Sequence, residues 1–220
     1  MVIVTPKFKK YVKKGVGRVY KVKDGIEYPS VTTVINKTKS AESMQGLNKW
    51  KESVGEDVAK WIANESMRMG TKVHELIESY LKFGKQNGEA YPLLANAHFH
   101  NIKEYLDKIK PMHNEITLYS RELKIAGTCD CVGNYDGIPS IIDFKTASKA
   151  VEDYVHDYMV QATAYSVMVE EQLGMRTSQI VIIMSGRDNS KQVWIKDPVD
   201  YMDELKERIN RFYLDHQDLL

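Results

Sequence analysis

The sequence predicts an α/β fold in which a central mixed β-sheet is flanked by helices, with a helical elaboration at the N-terminal side. Apolar residues recur at helical spacing within residues 46–84, which favours helices there. From Glu115 onward the pattern changes to alternation, which favours strands. A further helix, two strands and a closing helix follow, and this order is typical of a mixed sheet covered by helices. The three candidate strands are residues 115–122, 126–135 and 138–146.

Local signals set the expected bounds of the helices and of the last two strands. A break in the long helical segment is expected near Gly70 and Thr71. Pro111 is expected to end another helix, and Gly174 is expected to cap the helix over residues 152–173. The remaining expected elements are a helix at 93–109, a buried strand at 180–184, a strand at 191–195 and a closing helix at 198–215.

The length of 220 residues suits one sizeable core, so we expect a single domain over residues 28–220 after a basic arm of residues 1–27. The domain would be mainly helical over 28–112 and would hold its sheet in 113–220. Residues 1–23 contain eight Lys or Arg and no acid. Such an arm can attract a polyanion by releasing counterions, or it can be a solvated terminus, and the sequence leaves both open.

Composition argues against membrane insertion and secretion. No apolar run approaches the roughly 18 residues that a membrane span needs, and the first residues lack the apolar segment of a secretory signal. We therefore expect a soluble, cytoplasmic protein with no membrane partner, in the host cytoplasm if it is phage-encoded. Cys129 and Cys131 lie two apart, which matches neither a disulfide framework nor a C-x-x-C pair, so we expect core thiols.

A predicted β-hairpin brings two acidic residues together. Asp136 and Gly137 form a preferred dipeptide of two-residue hairpin turns, because both positions tolerate positive φ. With that turn, residues whose numbers sum to 273 face each other, so Asp130 lies opposite Asp143. Two carboxylates on such positions, with Cβ atoms about 5 Å apart, repel by roughly 3 kcal/mol. We therefore expect a divalent cation between them, and hard oxygen ligands suit Mg²⁺ or Mn²⁺.

A lysine completes the predicted site. Lys145 lies two residues after Asp143, so strand periodicity puts both on one face, with Thr128 opposite the lysine. Two carboxylates and an ammonium suit metal-assisted phosphodiester hydrolysis, in which Lys145 orients the nucleophile or stabilises developing charge. The alternative is a surface salt bridge of little energetic value. The same periodicity places four residues on the opposite face: Cys129, Cys131, Ile142 and Phe144.

These residues resemble the PD-(D/E)xK nucleases, in particular the RecB-like exonuclease branch with its phage and mitochondrial members. The pattern G-x-x-D, a hairpin and D-x-K is similar to Gly127 through Asp130 followed by Asp143 through Lys145. The resemblance spans roughly residues 28–170. Its other parts are Tyr28 through Thr33 followed by Trp50, Gly70 through Glu75, and Gln161 with Tyr165.

The resemblance implies a restriction-endonuclease-like sheet and one or two Mg²⁺ or Mn²⁺ ions. The implied metal ligands are His74, Asp130, Asp143 and the carbonyl of Phe144. Asp130, Asp143, Lys145 and Gln161 form the implied catalytic set. For His74, the alternative is a histidine satisfied at the edge of its helix.

Several further residues are candidates for substrate binding. Gln161 would contact the lysine or a phosphate, Tyr165 would pack beside it or contact nucleic acid, and Thr146 is a further candidate. Glu115 would support the site or remain a solvated charge at a strand end. Ser30 and Thr32 would contact phosphate or cap a helix.

The function expected from the resemblance is a metal-dependent DNA exonuclease that acts on single strands or free ends. Two alternatives stay open: a structure-selective endonuclease, and a non-catalytic DNA-binding accessory protein of recombination. Replication, recombination or repair proteins would be its partners by analogy. The sequence lacks the cysteine cluster of an iron–sulfur centre and the glycine loop of ATP-binding proteins, so neither cofactor is expected.

Overall fold

The computed structural model describes residues 8–85 and 90–219, so residues 1–7 of the predicted arm and Leu220 at the end of the predicted domain lie outside it. The strands are β1 Lys9–Lys13, β2 Gly17–Lys21, β3 Glu27–Pro29, β4 Ile109–Ser120, β5 Ile125–Tyr135, β6 Ile138–Ala147, β7 Gln179–Gly186 and β8 Lys191–Lys196. The α-helices are α1 Val31–Lys37, α2 Ala41–Val54, α3 Glu56–Phe83, α4 Leu93–Leu106, α5 His156–Leu173 and α6 Met202–Asp215.

The centre of the molecule is a five-stranded mixed sheet. Its strand order is β4-β5-β6-β7-β8, in which β6 and β7 run parallel and every other neighbouring pair is antiparallel. The connection between the parallel strands contains α5, as a parallel pairing requires a crossover. The predicted α/β class with a central mixed sheet and flanking helices is confirmed.

Two apolar cores cover the two faces of this sheet. Every residue of β7 is buried, and its side chains alternate between the cores, with Ile182 in one and Val181 and Ile183 in the other. Helices α1, α5 and α6 pack on the Ile182 face, whereas α3 and α4 pack on the Ile183 face. A strand buried on both faces reads as a continuous apolar run, which is why this segment showed no alternation in the sequence.

The β5–β6 hairpin forms as predicted. Asp136 and Gly137 have φ values of 50° and 86°, the left-handed values that a tight two-residue turn needs. Tyr135 pairs with Ile138, and the ladder continues in the expected register as far as Cys131 and Ile142. Asp130 and Asp143 are the next positions of this register.

The N-terminal region differs from the predicted arm. Strands β1, β2 and β3 form a separate antiparallel sheet, so the described part of the basic segment is folded. The predicted boundary between residues 27 and 28 falls inside β3. The basic composition of this segment concealed a strand pattern in which Val19 and Tyr20 are buried between the exposed Arg18 and Lys21.

Two other bounds also differ from the prediction. Helix α3 continues through Gly70 and Thr71, and the break in the helical segment lies at Gly55, whose φ of 84° suits glycine. Helix α4 ends at Leu106, and Pro111 belongs to β4 instead of ending the helix. Proline is tolerated there because β4 is an edge strand, where a missing N–H breaks no second ladder.

The later elements follow the prediction closely. Gly174 caps α5 with a φ of 64°, and its N–H donates to the carbonyl of Glu170. The closing helix begins with a 3₁₀ turn at Pro198–Tyr201 before α6. Among the residues described, no helix is both long enough and apolar enough to cross a membrane.

Candidate active site

The candidate site begins where the β5–β6 ladder ends. Beyond the Cys131–Ile142 pair, an Asp130 carboxylate oxygen accepts the Phe144 N–H at 2.9 Å, so a side chain replaces a backbone partner there. On the other side of β5, the pairing with β4 skips Asp130 and Glu115. Glu115 has a φ of 51°, which non-glycine residues rarely adopt. Glu115 nevertheless lies opposite Asp130, because the pairs on either side, Asn114–Cys131 and Ile116–Cys129, keep one register.

This irregularity changes the predicted faces of the strand. Cys131 packs with Ile142 and Phe144 as predicted, but Cys129 packs in the opposite core with Ile141. The prediction that both cysteines share one face is therefore wrong, because strict alternation fails at the unpaired position of Asp130. Both thiols are buried, and burial raises their pKa values, which fits the predicted packing role.

Helix α3 places His74 against these residues. The His74 Nε2–H donates to the Phe144 carbonyl at 3.0 Å. Its Nδ1 lies 3.5 Å from an Asp130 carboxylate oxygen and 3.8 Å from a Glu115 carboxylate oxygen. Burial by itself lowers the pKa of His74, but the two carboxylates raise it to about 10.

The donor atoms of His74, Glu115 and Asp130 could hold a metal ion. One ligand atom from each lies within 4.8 Å of the others. The two carboxylates are hard oxygen donors of the kind that Mg²⁺ or Mn²⁺ prefers, and Nδ1 of the imidazole adds a nitrogen donor. The Phe144 carbonyl, also a predicted ligand, instead lies at the other ring nitrogen and accepts the Nε2–H of His74. The proton on His74 places a positive charge beside the two carboxylates. A divalent cation bound there would provide that charge instead. The residues present therefore fit the expected metal.

Asp143 and Lys145 form the other half of the site. Their side chains make an ion pair at 2.6 Å, with Asp143 almost fully buried and the lysine side chain 18% exposed. The Lys145 ammonium also lies 4.7 Å from the centre of the Tyr158 ring. Asp143 is not part of the three-residue donor cluster among the described residues. Among the described residues, the ion-pair partner of Asp143 is Lys145.

The two aspartates differ in their electrostatic setting. Burial would raise the pKa of Asp130, but His74, Lys145 and the Phe144 N–H hold it below its ordinary value. Burial raises the pKa of Asp143 to about 6, although Lys145 opposes that shift. Burial lowers the pKa of Lys145, but Asp143 and Asp130 outweigh it and raise the value further above its ordinary range. Lys145 is therefore a cation at neutral pH.

Helix α5 supplies Gln161 and Tyr165 behind the site. The Gln161 amide donates to the Tyr165 hydroxyl at 3.2 Å, and both side chains are buried. A Cβ on Gly127 would lie 2.7 Å from the Tyr165 ring, closer than real Cβ contacts occur. The glycine of G-x-x-D thus leaves room for the tyrosine of Q-x-x-x-Y. Tyr165 therefore packs against Gly127. Among the described residues, Gln161 makes no hydrogen bond to Lys145.

An open cleft of about 1030 Å³ runs over the metal donor cluster. Helix α3 and strand β4 contribute His74 and Glu115 to its lining, β6 contributes Lys145, and the N-terminal sheet contributes Lys10 and Arg18. Nothing in the sequence directly indicates that Lys10 and Arg18 line the cleft. The signal available in the sequence was the alternation of charged and apolar residues, with Lys10 before Tyr11 and Arg18 before Val19.

The remaining predicted residues lie around this centre. Thr146 lies near Gly70 of α3, whose added Cβ would be 3.6 Å from the threonine hydroxyl. The Ser30 hydroxyl caps α1 by accepting the Thr33 N–H at 3.0 Å, and it lies 3.4 Å from the Thr32 hydroxyl. Ser30 is 1% exposed, so of its two predicted roles the structure shows the helix cap.

Comparisons with known proteins identify two relatives. The chain is 30% identical over 147 residues to mitochondrial genome maintenance exonuclease 1 of Mus musculus. The matched residues make up 62% of this chain and 43% of that protein. This chain is 29% identical over 129 residues to the protein of the same name from Homo sapiens, covering 55% and 37%. The chain thus spans less than half the length of these relatives. No protein-family model matches the sequence.

A solved structure was also found, that of a candidate exonuclease from Eubacterium rectale. It superposes with a TM-score of 0.45 at 13% identity, over 69% of each chain. This likeness is too low to support conclusions about the site.

Proposed function

We propose that this chain, which is related by sequence to the PD-(D/E)xK-like exonucleases, is a metal-dependent deoxyribonuclease that hydrolyses phosphodiester bonds from DNA ends. One observation carries the proposal. The donor atoms of His74, Glu115 and Asp130 converge within 4.8 Å, beside the buried ion pair of Asp143 and Lys145. Acidic metal donors next to a fixed ammonium suit the attack of water on a phosphodiester.

The carboxylates have separate tasks in this proposal. Asp130 and Glu115 would hold the cation with His74. A bound Mg²⁺ or Mn²⁺ would activate water and offset the charge that develops on the phosphate. Asp130 also accepts the Phe144 N–H, which fixes both the carboxylate and the neighbouring carbonyl. The site is thereby held in place before substrate binds.

Lys145 acts as a fixed positive charge. Because its pKa is raised above the ordinary range, the ammonium keeps its proton and cannot serve as the general base. It would instead orient the attacking water or stabilise the negative charge of the transition state. Asp143 holds the ammonium at 2.6 Å, and the Tyr158 ring lies beside it.

Preference for single strands or free ends is part of the proposal. The relatives, which are named exonucleases, support the part of the proposal that concerns free ends. The cleft over the donor cluster is open, with room for a nucleic-acid strand. ATP and an iron–sulfur cluster are not part of the proposed reaction. Replication or recombination partners are proposed by analogy.

A cleavage assay on labelled DNA tests the proposal. Linear single-stranded and double-stranded DNA, labelled at the 5′ or 3′ end, would be incubated with Mg²⁺, Mn²⁺ or EDTA and without ATP. We expect shortening of linear strands with either metal and none with EDTA. Absence of cleavage with every metal would refute the proposal and would favour a non-catalytic DNA-binding protein.

Closed circular single strands separate the two modes of cleavage. An exonuclease leaves these circles intact, whereas a structure-selective endonuclease opens them. Degradation of circles at the rate of linear strands would overturn the exonuclease part of the proposal and keep the nuclease part.

A further inference from the structure

The N-terminal sheet presents one face to the cleft that contains the candidate site. Lys10 pairs across the sheet with Tyr20. Two positions nearer the turn, Arg18 pairs with Val12, so strand alternation brings Arg18 to the same face as Lys10. Phe8, Lys10, Arg18 and Tyr20 all line the cleft together with His74. The basic segment that looked like a free arm in the sequence therefore forms a wall of the site.

Charge pairing leaves this wall positive. On the α3 side, Glu75 pairs with Lys72 at 2.8 Å, and Glu78 pairs with Lys82. Lys145 is held by Asp143. In residues 8–85 and 90–219, by contrast, no ion pair or side-chain hydrogen bond is recorded for Lys10 or Arg18. The acidic donor cluster thus shares the cleft with two cations that have no partner among the described residues, and a phosphate chain could contact both.

The wall is attached firmly to the strands that carry the site. The Tyr20 hydroxyl lies 3.3 Å from the Thr128 hydroxyl of β5, and Thr128 lies 3.2 Å from the Thr117 hydroxyl of β4. The Arg18 backbone is bound through both its N–H and its carbonyl to the Thr33 hydroxyl, at 3.1 Å and 3.2 Å. The positions of Lys10 and Arg18 relative to Asp130 are therefore set by the fold.

An aromatic ring lies on the same wall. Phe8 is partly exposed and packs edge-on against Tyr119, with ring centres 5.4 Å apart. A partly exposed ring beside two cations is the combination that binds single strands, because bases stack on the ring while cations follow the phosphates. A duplex keeps its bases stacked within the helix, so the ring favours a single strand.

We propose that the cleft-facing side of the N-terminal sheet binds a single nucleic-acid strand, with Lys10 and Arg18 contacting phosphates next to the one at the metal donor cluster. This inference rests on the proposed function, because it takes DNA as the substrate. It adds a binding surface from a part of the chain outside the residues of the nuclease pattern.

Binding of a fluorescent single-stranded oligonucleotide, followed by anisotropy in EDTA, tests the surface without cleavage. The test variant is Lys10→Ala with Arg18→Ala. The matched control is Lys9→Ala with Lys21→Ala, which removes the same charge from the same two strands. Lys9 and Lys21 pair directly with each other, are exposed, and lie on the other face of the sheet. Circular dichroism and thermal unfolding would establish that both variants fold.

The expected effect follows from counterion release. Each phosphate contact on a single strand contributes about 0.7 to the slope of log affinity against log salt, so the test variant should lower that slope by about 1.4. At 0.1 M salt its Kd should rise roughly 20-fold, and the control should stay within about threefold of the wild type. The charge-retaining variant Lys10→Arg with Arg18→Lys should bind nearly as tightly as the wild type.

The outcomes separate this inference from the proposed function. Equal losses of affinity in the test and control variants would overturn the binding surface. A test variant that does not fold, together with a charge-retaining variant that binds much more weakly than the control, would overturn it as well. A wild-type chain that binds no oligonucleotide would overturn it too. A selective loss in a chain that cleaves nothing with any metal would support the surface and refute the nuclease.

Discussion

The two aspartates of the candidate site come from adjacent strands, yet the fold gives them opposite settings. Asp130 lies in the half that contains His74 and Glu115 and has a lowered pKa. Asp143 lies in the half that contains Lys145, is 2% exposed, and has a pKa raised to about 6. The same side-chain type thus serves two purposes, and its surroundings decide which one.

The difference teaches how such a site divides its work. The His74 half collects several donors around one point, so it gains most from a small cation. The Lys145 half is already an ion pair of one acid and one base, so it needs no further charge. Removing a residue from each half should therefore have different consequences for activity, metal binding and stability.

The largest effect is expected for Asp130→Asn. It removes a carboxylate from the donor cluster, so single-turnover cleavage should fall by roughly 10³-fold or more, the upper end of such electrostatic losses. The amide oxygen of asparagine can still accept the Phe144 N–H, so the fold should persist. In metal-free buffer, NMR titration should find the pKa of His74 lowered from about 10. An unchanged His74 titration would contradict the coupling of these two residues.

The next effect is expected for Lys145→Met. Loss of the fixed ammonium should lower the cleavage rate by roughly 10²–10³-fold while oligonucleotide binding changes little. Stability should also fall, because the carboxylate of Asp143 loses its partner in a buried position. The double variant with Asp143→Asn should recover stability without activity. Lys196→Met, at an exposed position of β8, is the control, and a similar rate loss there would count against a specific role of Lys145.

A smaller effect is expected for Gly127→Ala, which tests the packing behind the Lys145 half. Its Cβ would lie 2.7 Å from the Tyr165 ring, so we expect a loss of about 1–3 kcal/mol in the free energy of unfolding. Gly46→Ala in α2 meets no atom within 4 Å and should stabilise the protein slightly. Urea unfolding measures both. Additivity of Gly127→Ala with Tyr165→Ala would contradict the proposed steric contact.

The smallest effect concerns pH. The pKa of Asp143 is raised to about 6 in the fold and lies near 3.9 in an unfolded chain. Between these values the folded state binds more protons, so its contribution to stability falls as pH rises from about 4 to 6. The fall should amount to roughly 1–3 kcal/mol. Urea unfolding in EDTA at a series of pH values would give the free energy of unfolding of the wild type and of Asp143→Asn. The difference between the two proteins isolates the contribution of Asp143, and the same pH dependence in both would contradict the raised pKa.

The sequence by itself determined the local features of this protein. Asp136 and Gly137 fixed the hairpin turn, because few dipeptides adopt two consecutive positive φ values, and that turn set the register toward Asp130 and Asp143. The spacing of Asp143 and Lys145 placed both on one face of β6. Gly174 and the apolar run of β7 were equally readable, since each depends on its own few residues.

Only the tertiary structure decided which residues from distant parts of the chain lie beside Asp130, Asp143 and Lys145. Glu115 reaches the donor cluster because the register of β4 on β5 puts it opposite Asp130. These two positions are unpaired, and beyond them Cys129 packs in the opposite core. Lys10 and Arg18 enter the cleft because residues from the N-terminus fold into a sheet against β5. These contacts join segments far apart in the chain, and periodicity within one segment carries no information about the packing partner that it meets.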